Sequence, residues 1–236
     1  MRLPSPQRRP SDCIECQYRS LRIFCDLSPT ELEDFDAIGV KVRLPRGAII
    51  FSEEDPGTRV AIICEGQVKL STTSADGKTL ILKIAVPGDV LGLGAVISGS
   101  PYEVTAETIE PTQIKSIRRD AFLAFLERHG QASMHAAKSL SEEYRAAFFD
   151  ARRLALSSSA AGRLAAVLLD WGKSASCGAS EIRFHLALTH EELASLAGTS
   201  RETVTRVLGR LRREDIIRIS GSTLTILSPE RLAAYS

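Results

Sequence analysis

Residues 189–218 have the sequence THEELASLAGTSRETVTRVLGRLRREDIIR, which specifies two short helices separated by a turn. The first helix begins with a capping box. The Thr189 hydroxyl can accept a hydrogen bond from the backbone N–H of Glu192, and the Glu192 carboxylate can accept one from the N–H of Thr189. This helix is predicted to end at Gly198, because glycine adopts the left-handed backbone that terminates helices. Two short helices around a glycine turn indicate a helix-turn-helix.

The second helix is amphipathic, and either Thr199 or Ser200 can cap its N-terminus. Its apolar residues follow helical spacing: Val204, Val207, Leu208 and Leu211. Its predicted DNA contacts are Ser200, Arg201, Glu202, Thr205, Arg206 and Arg210. Arginine can donate two hydrogen bonds to guanine and glutamate can accept one from cytosine, so this face suits the major groove. The alternative is an ordinary helix with solvated charges, but the two caps and the adjacent basic cluster favour DNA binding.

The segment TSRETVTRVLGRL (199–211) resembles the recognition helix of the CRP/FNR family of bacterial transcription regulators. Arg201, Glu202 and Arg206 match the base-reading pattern of that family, and a looser resemblance covers nearly the whole chain. It implies an α+β protein with an N-terminal jelly-roll (double-stranded β-helix) sensor domain, a long dimerisation helix and a C-terminal winged helix-turn-helix. It also implies a homodimer on palindromic double-stranded DNA, with RNA polymerase as a further partner.

The composition of the 236 residues, 44% hydrophobic and 25% charged, is typical of a globular protein with one large or two modest domains. There is no apolar run long enough for a membrane span, and the basic N-terminus precedes no apolar signal segment. We therefore expect a cytoplasmic protein. The net charge of +1 favours no partner, but six of the arginines lie between residues 199 and 218.

The region from about residue 40 to residue 118 shows short β segments separated by turn residues every ten positions or so. This spacing predicts an all-β sandwich or barrel. A helix capped at Ser28 with Pro29 at its first position precedes this region. The helical segment that follows carries a long apolar stripe over about 131–156, which must either pack on the barrel or pair with a second copy. The resemblance favours pairing.

The C-terminal part adds two strands around Gly221-Ser222, which suits a two-residue hairpin and predicts a wing. The expected division is a cysteine-containing segment (1–27), a β-roll sensor domain (28–130), a dimerisation helix (131–157) and the winged helix-turn-helix domain (158–236).

Five cysteines in a chain without an export signal favour metal or redox chemistry over disulfides. Cys13, Cys16 and Cys25 are spaced C-x2-C-x8-C, which resembles the N-terminal cluster-binding segment of the oxygen-sensing FNR branch and implies a [4Fe–4S] cluster. The fourth cysteine of that branch aligns with Lys115. The fourth ligand would then be Cys64, a nearby carboxylate such as Asp12 or Asp26, or an external group. Cys64 is the weaker candidate, since its simpler interpretation is a small buried core residue.

Several other inputs stay open. The three cysteines could hold zinc with a fourth partner, form a thiol redox switch, or be remnants of a lost effector site. Haem is disfavoured because the β region contains no histidine. Cyclic AMP is not expected, since Leu93 replaces the glutamate that holds the ribose in the family, and Tyr102 and Glu103 lie where its phosphate-binding Arg-Ser pair belongs.

An enzyme is not expected. A cupin-type enzyme needs several histidines inside its barrel to hold a metal. The four histidines all lie outside the β region: His129, His135, His185 and His190. No phosphate-binding loop, dinucleotide fingerprint or Ser-His-Asp order is present. The remaining alternative is an interaction module that has lost DNA binding, and the intact Arg201, Glu202 and Arg206 argue against it.

Overall fold

The computed structural model describes residues 13, 16, 23–77, 79–156, 159–175, 182–186 and 188–235. These form two compact units, one of residues 1–70 and 84–144 and the other of residues 71–83 and 145–236. Residues 1–12, 157 and 158 and those around Cys177 lie outside the described residues.

The β-roll contains eight strands. They are β1 (Gly39–Leu44), β2 (Ile49–Phe51), β3 (Arg59–Glu65), β4 (Val68–Thr73), β5 (Thr79–Ala85), β6 (Val90–Leu91), β7 (Thr105–Thr108) and β8 (Thr112–Arg118). They form two four-stranded sheets with the orders β1-β8-β3-β6 and β2-β7-β4-β5. Strand β8 lies between β1 and β3, and pairs antiparallel with both. The predicted jelly-roll fold is confirmed.

The all-β prediction for residues 40–118 missed one helix, α2 (Leu93–Ser98). Gly92 and Gly99 flank it, and both have positive φ angles (73° and 79°), a conformation in which glycine lacks the steric cost of other residues. Leu93 and Val96 are buried, so core packing stabilises a helix too short to be stable alone.

The first unit has two apolar clusters. One contains Phe24, Phe35 and Phe125 with Ile117 of β8, and the other contains Phe51 and Tyr102 with Ile114. Successive side chains of a strand point to opposite faces, so Ile114 and Ile117, three positions apart, contribute to different clusters.

Helices flank this β-roll. A short 3-10 helix (Ile23–Cys25) is followed by α1 (Pro29–Ala37), and β8 is followed by α3 (Arg119–Arg128) and α4 (Gly130–Leu156). The Ser28 cap is confirmed: the Glu31 carboxylate accepts from the Ser28 N–H at 3.0 Å, and the Ser28 hydroxyl accepts from the Glu31 N–H at 3.4 Å. No helix in the described ranges is both long and apolar enough to cross a bilayer.

The C-terminal elements of the second unit are α5 (Ala160–Ala175), β9 (Ile182–His185), α6 (His190–Leu196), α7 (Arg201–Arg213), β10 (Ile217–Ser220), β11 (Thr223–Ile226) and α8 (Pro229–Ala233). The three strands form an antiparallel sheet of order β10-β11-β9. Gly221 turns the β10–β11 hairpin with φ of 57°, so the predicted wing is confirmed.

Candidate DNA interface and sensor region

The first helix of the helix-turn-helix begins and ends as the sequence predicts. The Thr189 N–H donates to the Glu192 carboxylate at 2.9 Å, and the Glu192 N–H donates to the Thr189 hydroxyl at 3.2 Å. Helix α6 ends at Leu196, and Gly198 follows with a φ of 58°. The start of α6 and the glycine that follows its end are therefore set by local residues.

A residue that sequence reasoning missed also holds this turn. Arg163 of α5 donates from Nε to the Ala197 carbonyl (2.8 Å) and from an Nη atom to the Gly198 carbonyl (2.9 Å). Carbonyl groups at the C-terminal end of a helix lack helical partners and carry partial negative charge, so a guanidinium is a favourable donor there. No local pattern indicated this role, because Arg163 lies more than 30 residues before the turn.

Helix α7 presents its polar face outward. Ser200 caps it by accepting from the Thr203 N–H at 3.3 Å. The predicted apolar stripe is buried: Val204, Val207, Leu208 and Leu211. The opposite residues are all exposed: Arg201, Glu202, Thr205, Arg206 and Arg210. Burial of the stripe fixes the rotation of the helix, so these side chains face solvent.

The predicted DNA contacts differ in how far they are already engaged. The pKa of Glu202 is lowered by hydrogen bonds from its own backbone N–H and from Ser200, so its carboxylate is charged and can accept. Arg210 instead donates to Glu214 (2.8 Å) and lies over the ring of Tyr235 (5.5 Å). Arg210 is thus already paired within the protein, whereas a residue that only contacts DNA is expected to have no such partner.

Thr205 is linked to the first helix. Its hydroxyl donates to the Arg201 carbonyl at 3.0 Å and lies 2.9 Å from Nδ1 of His190. Because the hydroxyl proton is used within α7, His190 is the donor in the second bond. The sequence assigned no DNA-contacting role to His190, and the structure places it against α7.

Cys13, Cys16 and Cys25 do not converge on a common point in the part of the N-terminal segment that the structure describes. Cys13 and Cys16 are half-buried, Cys25 is buried, and the four described cysteines form no disulfide. Within the described ranges, no three His, Cys, Asp or Glu side chains converge to hold a metal ion. The Cys64 thiol donates to the Ile62 carbonyl of its own strand at 3.9 Å. The arrangement therefore does not fit a cluster held by these cysteines.

Cys13 contacts charged groups instead. Its Sγ atom accepts from Nζ of Lys115 at 3.6 Å, and its thiol is hydrogen-bonded to Asp36. Burial, followed by the Asp36 hydrogen bond, raises the pKa of the Cys13 thiol to about 11. Metals bind the thiolate, so this environment disfavours the form that a ligand needs.

The two positions expected to contact a cyclic nucleotide carry side chains that pack within the β-roll. Leu93 is buried, and the ring of Tyr102 stacks on Phe51 at 3.9 Å. The Tyr102 hydroxyl donates to the Arg59 carbonyl (2.7 Å) and accepts from the Arg59 N–H (3.0 Å). Tyr102 also lies against Gly92, where a Cβ atom would come within 2.7 Å of the ring. These contacts fix Tyr102 as a core residue, and its side chain supplies no cation for a phosphate.

Comparison with known families identifies both parts of the chain. Residues 41–129 match the cyclic nucleotide-binding domain, and residues 162–235 match the Crp-like helix-turn-helix domain. The two matches cover the β-roll with α3 and the winged helix-turn-helix.

Comparison with whole proteins covers nearly all of the chain. A CRP-like cAMP-activated global transcriptional regulator of Mycobacterium tuberculosis is 30% identical over 89% of this chain and 94% of its own length. The nitrogen fixation regulation protein FixK of Bradyrhizobium diazoefficiens is 29% identical over 95% and 93%. The structure of FixK2 from Bradyrhizobium japonicum superimposes with a TM-score of 0.76 over 84% of this chain and 98% of that one, at 23% identity, and so shows the shared fold.

Proposed function

Since the chain belongs to the CRP/FNR family of transcription regulators, we propose that it is a homodimer that recognises a palindromic DNA site through α7. The observation that carries this proposal is the outward face of α7, where Arg201, Glu202 and Arg206 are exposed above a fully buried apolar stripe. Family membership also supports regulation of transcription rather than catalysis.

In this proposal Arg201, Glu202 and Arg206 contact base edges in the major groove, with the two arginines on guanines and Glu202 on a cytosine. Ser200 precedes these residues and Thr205 lies among them, all in the N-terminal half of the helix-turn-helix's second helix, the half that enters the groove in such proteins. Arg210 contributes at most a phosphate contact, because Glu214 and Tyr235 already hold it.

Dimerisation is proposed to occur through α4. The residues spaced in steps of three and four, as in a coiled-coil seam, are apolar except for one serine: Met134, Ala137, Ser141, Tyr144 and Phe148. Met134 is 57% exposed and Tyr144 is 73% exposed, which is unusual for large apolar side chains on one helix. Pairing with a second copy would cover this stripe and place two α7 helices about one DNA turn, roughly 34 Å, apart.

The input is proposed to act through the N-terminal segment. Phe24 and Leu27 share a core cluster with Ala132 and Ala136 of α4. The Gln131 side chain also donates to the Asp26 carbonyl at 3.0 Å. A change in the segment that carries Cys13, Cys16 and Cys25 would therefore be transmitted to the start of the proposed dimerisation helix by direct packing, as a shift between two populations.

The identity of the effector has two candidates. The Mycobacterium tuberculosis relative is named as cAMP-activated, which favours a cyclic nucleotide. The buried Leu93 and the Tyr102 contacts oppose it, because neither supplies a group for a ribose hydroxyl or a phosphate. We therefore infer a redox or thiol-linked input through the N-terminal cysteines, although the described residues do not fit a cluster.

The remaining parts of the proposal follow from family membership. They are a cytoplasmic location, RNA polymerase as a partner, and a division into the segments 1–27, 28–130, 131–157 and 158–236. The matched ranges, 41–129 and 162–235, support this division of labour between sensor and DNA-binding parts.

Binding of a palindromic duplex by the full-length protein tests the proposal. Arg206→Ala is expected to cost about 1–3 kcal/mol per half-site and to relax specificity at one guanine, because it removes a bidentate base contact. Fluorescence anisotropy on specific and scrambled duplexes measures both effects. Excess cAMP should leave the wild-type affinity unchanged.

Arg212→Ala is the matched control, since Arg212 is exposed on the same helix but outside the proposed base-reading set. It should weaken specific and scrambled DNA alike and flatten the salt dependence. If Arg206→Ala discriminates between the two duplexes as well as the wild type, the assignment of the reading face is wrong.

A further inference from the structure

Lys115 is a fully buried lysine in the β-roll, with 1% of its surface exposed. It lies on β8, where it pairs with Lys41 of β1 and with Ile62 of β3. Its side chain shares a strand face with Ile117, which packs with Phe35 and the N-terminal Phe24. The resemblance to the oxygen-sensing branch aligns its fourth cysteine with position 115. Lys115, which contacts Cys13 of the N-terminal segment, therefore occupies the position at which that branch has a cluster ligand.

The surroundings of Lys115 stabilise a charged ammonium group. Its Nζ atom lies 2.5 Å from Oδ1 of Asp36 and 4.9 Å from the centre of the Phe35 ring. Gly39 on β1 leaves room for the lysine stem, since any Cβ atom at this position would collide with it. A buried cation is stable only when it is paired, and here a carboxylate and an aromatic face supply that pairing.

Cys13 is the third partner. Its Sγ atom lies 3.6 Å from Nζ of Lys115, and the same Asp36 carboxylate is hydrogen-bonded to the Cys13 thiol. Cys13 and Lys115, 102 positions apart in the chain, thus meet at one point. Asp36 also forms an ion pair with Lys41, whose Nζ atom lies 3.4 Å from Oδ1. An ammonium group has three donors and no lone pair, so it can hold a thiol but cannot bind iron.

We propose that Lys115 stands in for the fourth cluster ligand, and that the Lys115–Asp36–Cys13 network fixes the N-terminal segment to the β-roll in place of an iron–sulphur cluster. The lysine places a hydrogen-bond donor where a metal ligand would lie, and its ammonium group occupies the space beside Cys13 that a metal would need. The network supplies the anchoring of the segment that metal–thiolate bonds would otherwise supply.

Anaerobic reconstitution of the full-length protein with ferrous iron and sulfide tests the first half of this proposal. The wild type should show no visible absorption band of a cluster and no stoichiometric labile sulfide. Lys115→Cys restores a set of four cysteines and should gain both. Stoichiometric cluster formation in the wild type would overturn the proposal, as would a Lys115→Cys protein that stays as colourless as the wild type.

Alkylation of thiols, read by peptide mass spectrometry, tests the second half. Lys115→Met removes the donor to Cys13 and should raise the alkylation rate of Cys13 several-fold while that of Cys16 stays the same. Lys41→Met is the matched control, because Lys41 also pairs with Asp36 but leaves the Lys115–Cys13 contact intact. Equal rates of Cys13 alkylation in wild type and Lys115→Met would overturn the anchoring role. Neither readout involves DNA, so failure here is distinct from failure of the DNA-binding proposal.

Discussion

Lys115 and Asp36 form a buried ion pair whose two partners are not equally replaceable. Lys115 is 1% exposed and depends on Asp36, whereas Asp36 is 26% exposed and also pairs with Lys41. Burial opposes the charge on Asp36, but hydrogen bonds from Lys115 and Cys13 and the charges of the two lysines outweigh it and lower its pKa to about 2. The loss in free energy of unfolding is therefore expected to differ between removal of Asp36 and removal of Lys115.

Asp36→Ala is expected to destabilise the protein by about 3–5 kcal/mol, because it leaves a buried ammonium without its carboxylate. Lys115→Met should cost less, since Asp36 keeps Lys41 and partial solvation. Urea unfolding of both variants at neutral pH measures the difference. A smaller loss for Asp36→Ala than for Lys115→Met would contradict this account of the pair.

The same ion pair makes the free energy of unfolding of the wild type depend on pH in the acid range. A carboxylate whose pKa is lowered in the folded state stabilises the fold above its ordinary pKa of 3.8, and this stabilisation is lost as the pH falls toward 2. The stability gap between the wild type and Asp36→Ala should therefore narrow between pH 4 and pH 2.

Among the helices, α6 and α7 depend on contacts that lie outside their own sequence. Their caps are local, but the turn between them is held by the guanidinium of Arg163 on α5. The Ala197 carbonyl belongs to a buried residue, so water is a poor replacement for the lost donor there. The angle between the two helices, and with it the presentation of α7, rests partly on this one side chain.

Arg163→Ala is expected to lower the free energy of unfolding by about 1–2 kcal/mol, since hydrogen bonds to a charged donor are lost at both carbonyls. DNA affinity should fall for specific and scrambled duplexes alike, because no base contact is removed. Thermal unfolding and anisotropy measure the two effects. Arg163→Lys, which retains the charge and can donate to one carbonyl, should recover part of the stability; a selective loss of specific binding in Arg163→Ala would contradict a purely structural role.

At the scale of the whole molecule, the proposed dimer depends on the apolar stripe of α4. Met134 and Tyr144 are large and more than half exposed, and their spacing places them on one side of the helix. Covering these side chains with a second copy would remove apolar surface from water, at roughly 25 cal/mol for each Å² buried. The two copies of α7 would then bind two half-sites together.

Tyr144→Glu places a charge in this stripe and is expected to shift the protein toward the monomer and to weaken binding of a full palindrome by at least tenfold. Sedimentation velocity and anisotropy measure the two effects. Ala146→Glu, which adds the same charge to an exposed residue on the opposite side of α4, should leave both unchanged. A Tyr144→Glu protein that sediments as the wild type does would exclude α4 as the dimer contact.

Local sequence was sufficient for the caps at Ser28 and Thr189, for the apolar stripe of α7 and for the β-roll with its wing, since each depends on residues a few positions apart or on a repeating period. It left the cap of α7 open between Thr199 and Ser200, and the structure has Ser200 there. It overlooked α2, which a core contact stabilises rather than any helix signal. The exposure of Arg201, Glu202 and Arg206 also followed from spacing, because a buried stripe fixes the opposite face.

The partners of Lys115, Arg163 and His190 could be known only from the fold. Cys13 and Lys115 are 102 positions apart, and Asp36 and Lys115 are 79 apart, so their contact exists only once β8 and α1 have packed together. A sequence pattern records the residues near one another in the chain, whereas a buried charge takes its partners from whatever the folded core brings within a few ångströms. The spacing of the three cysteines, read from the sequence alone, therefore suggested a cluster. Only the packed core shows that a lysine, Lys115, lies beside Cys13.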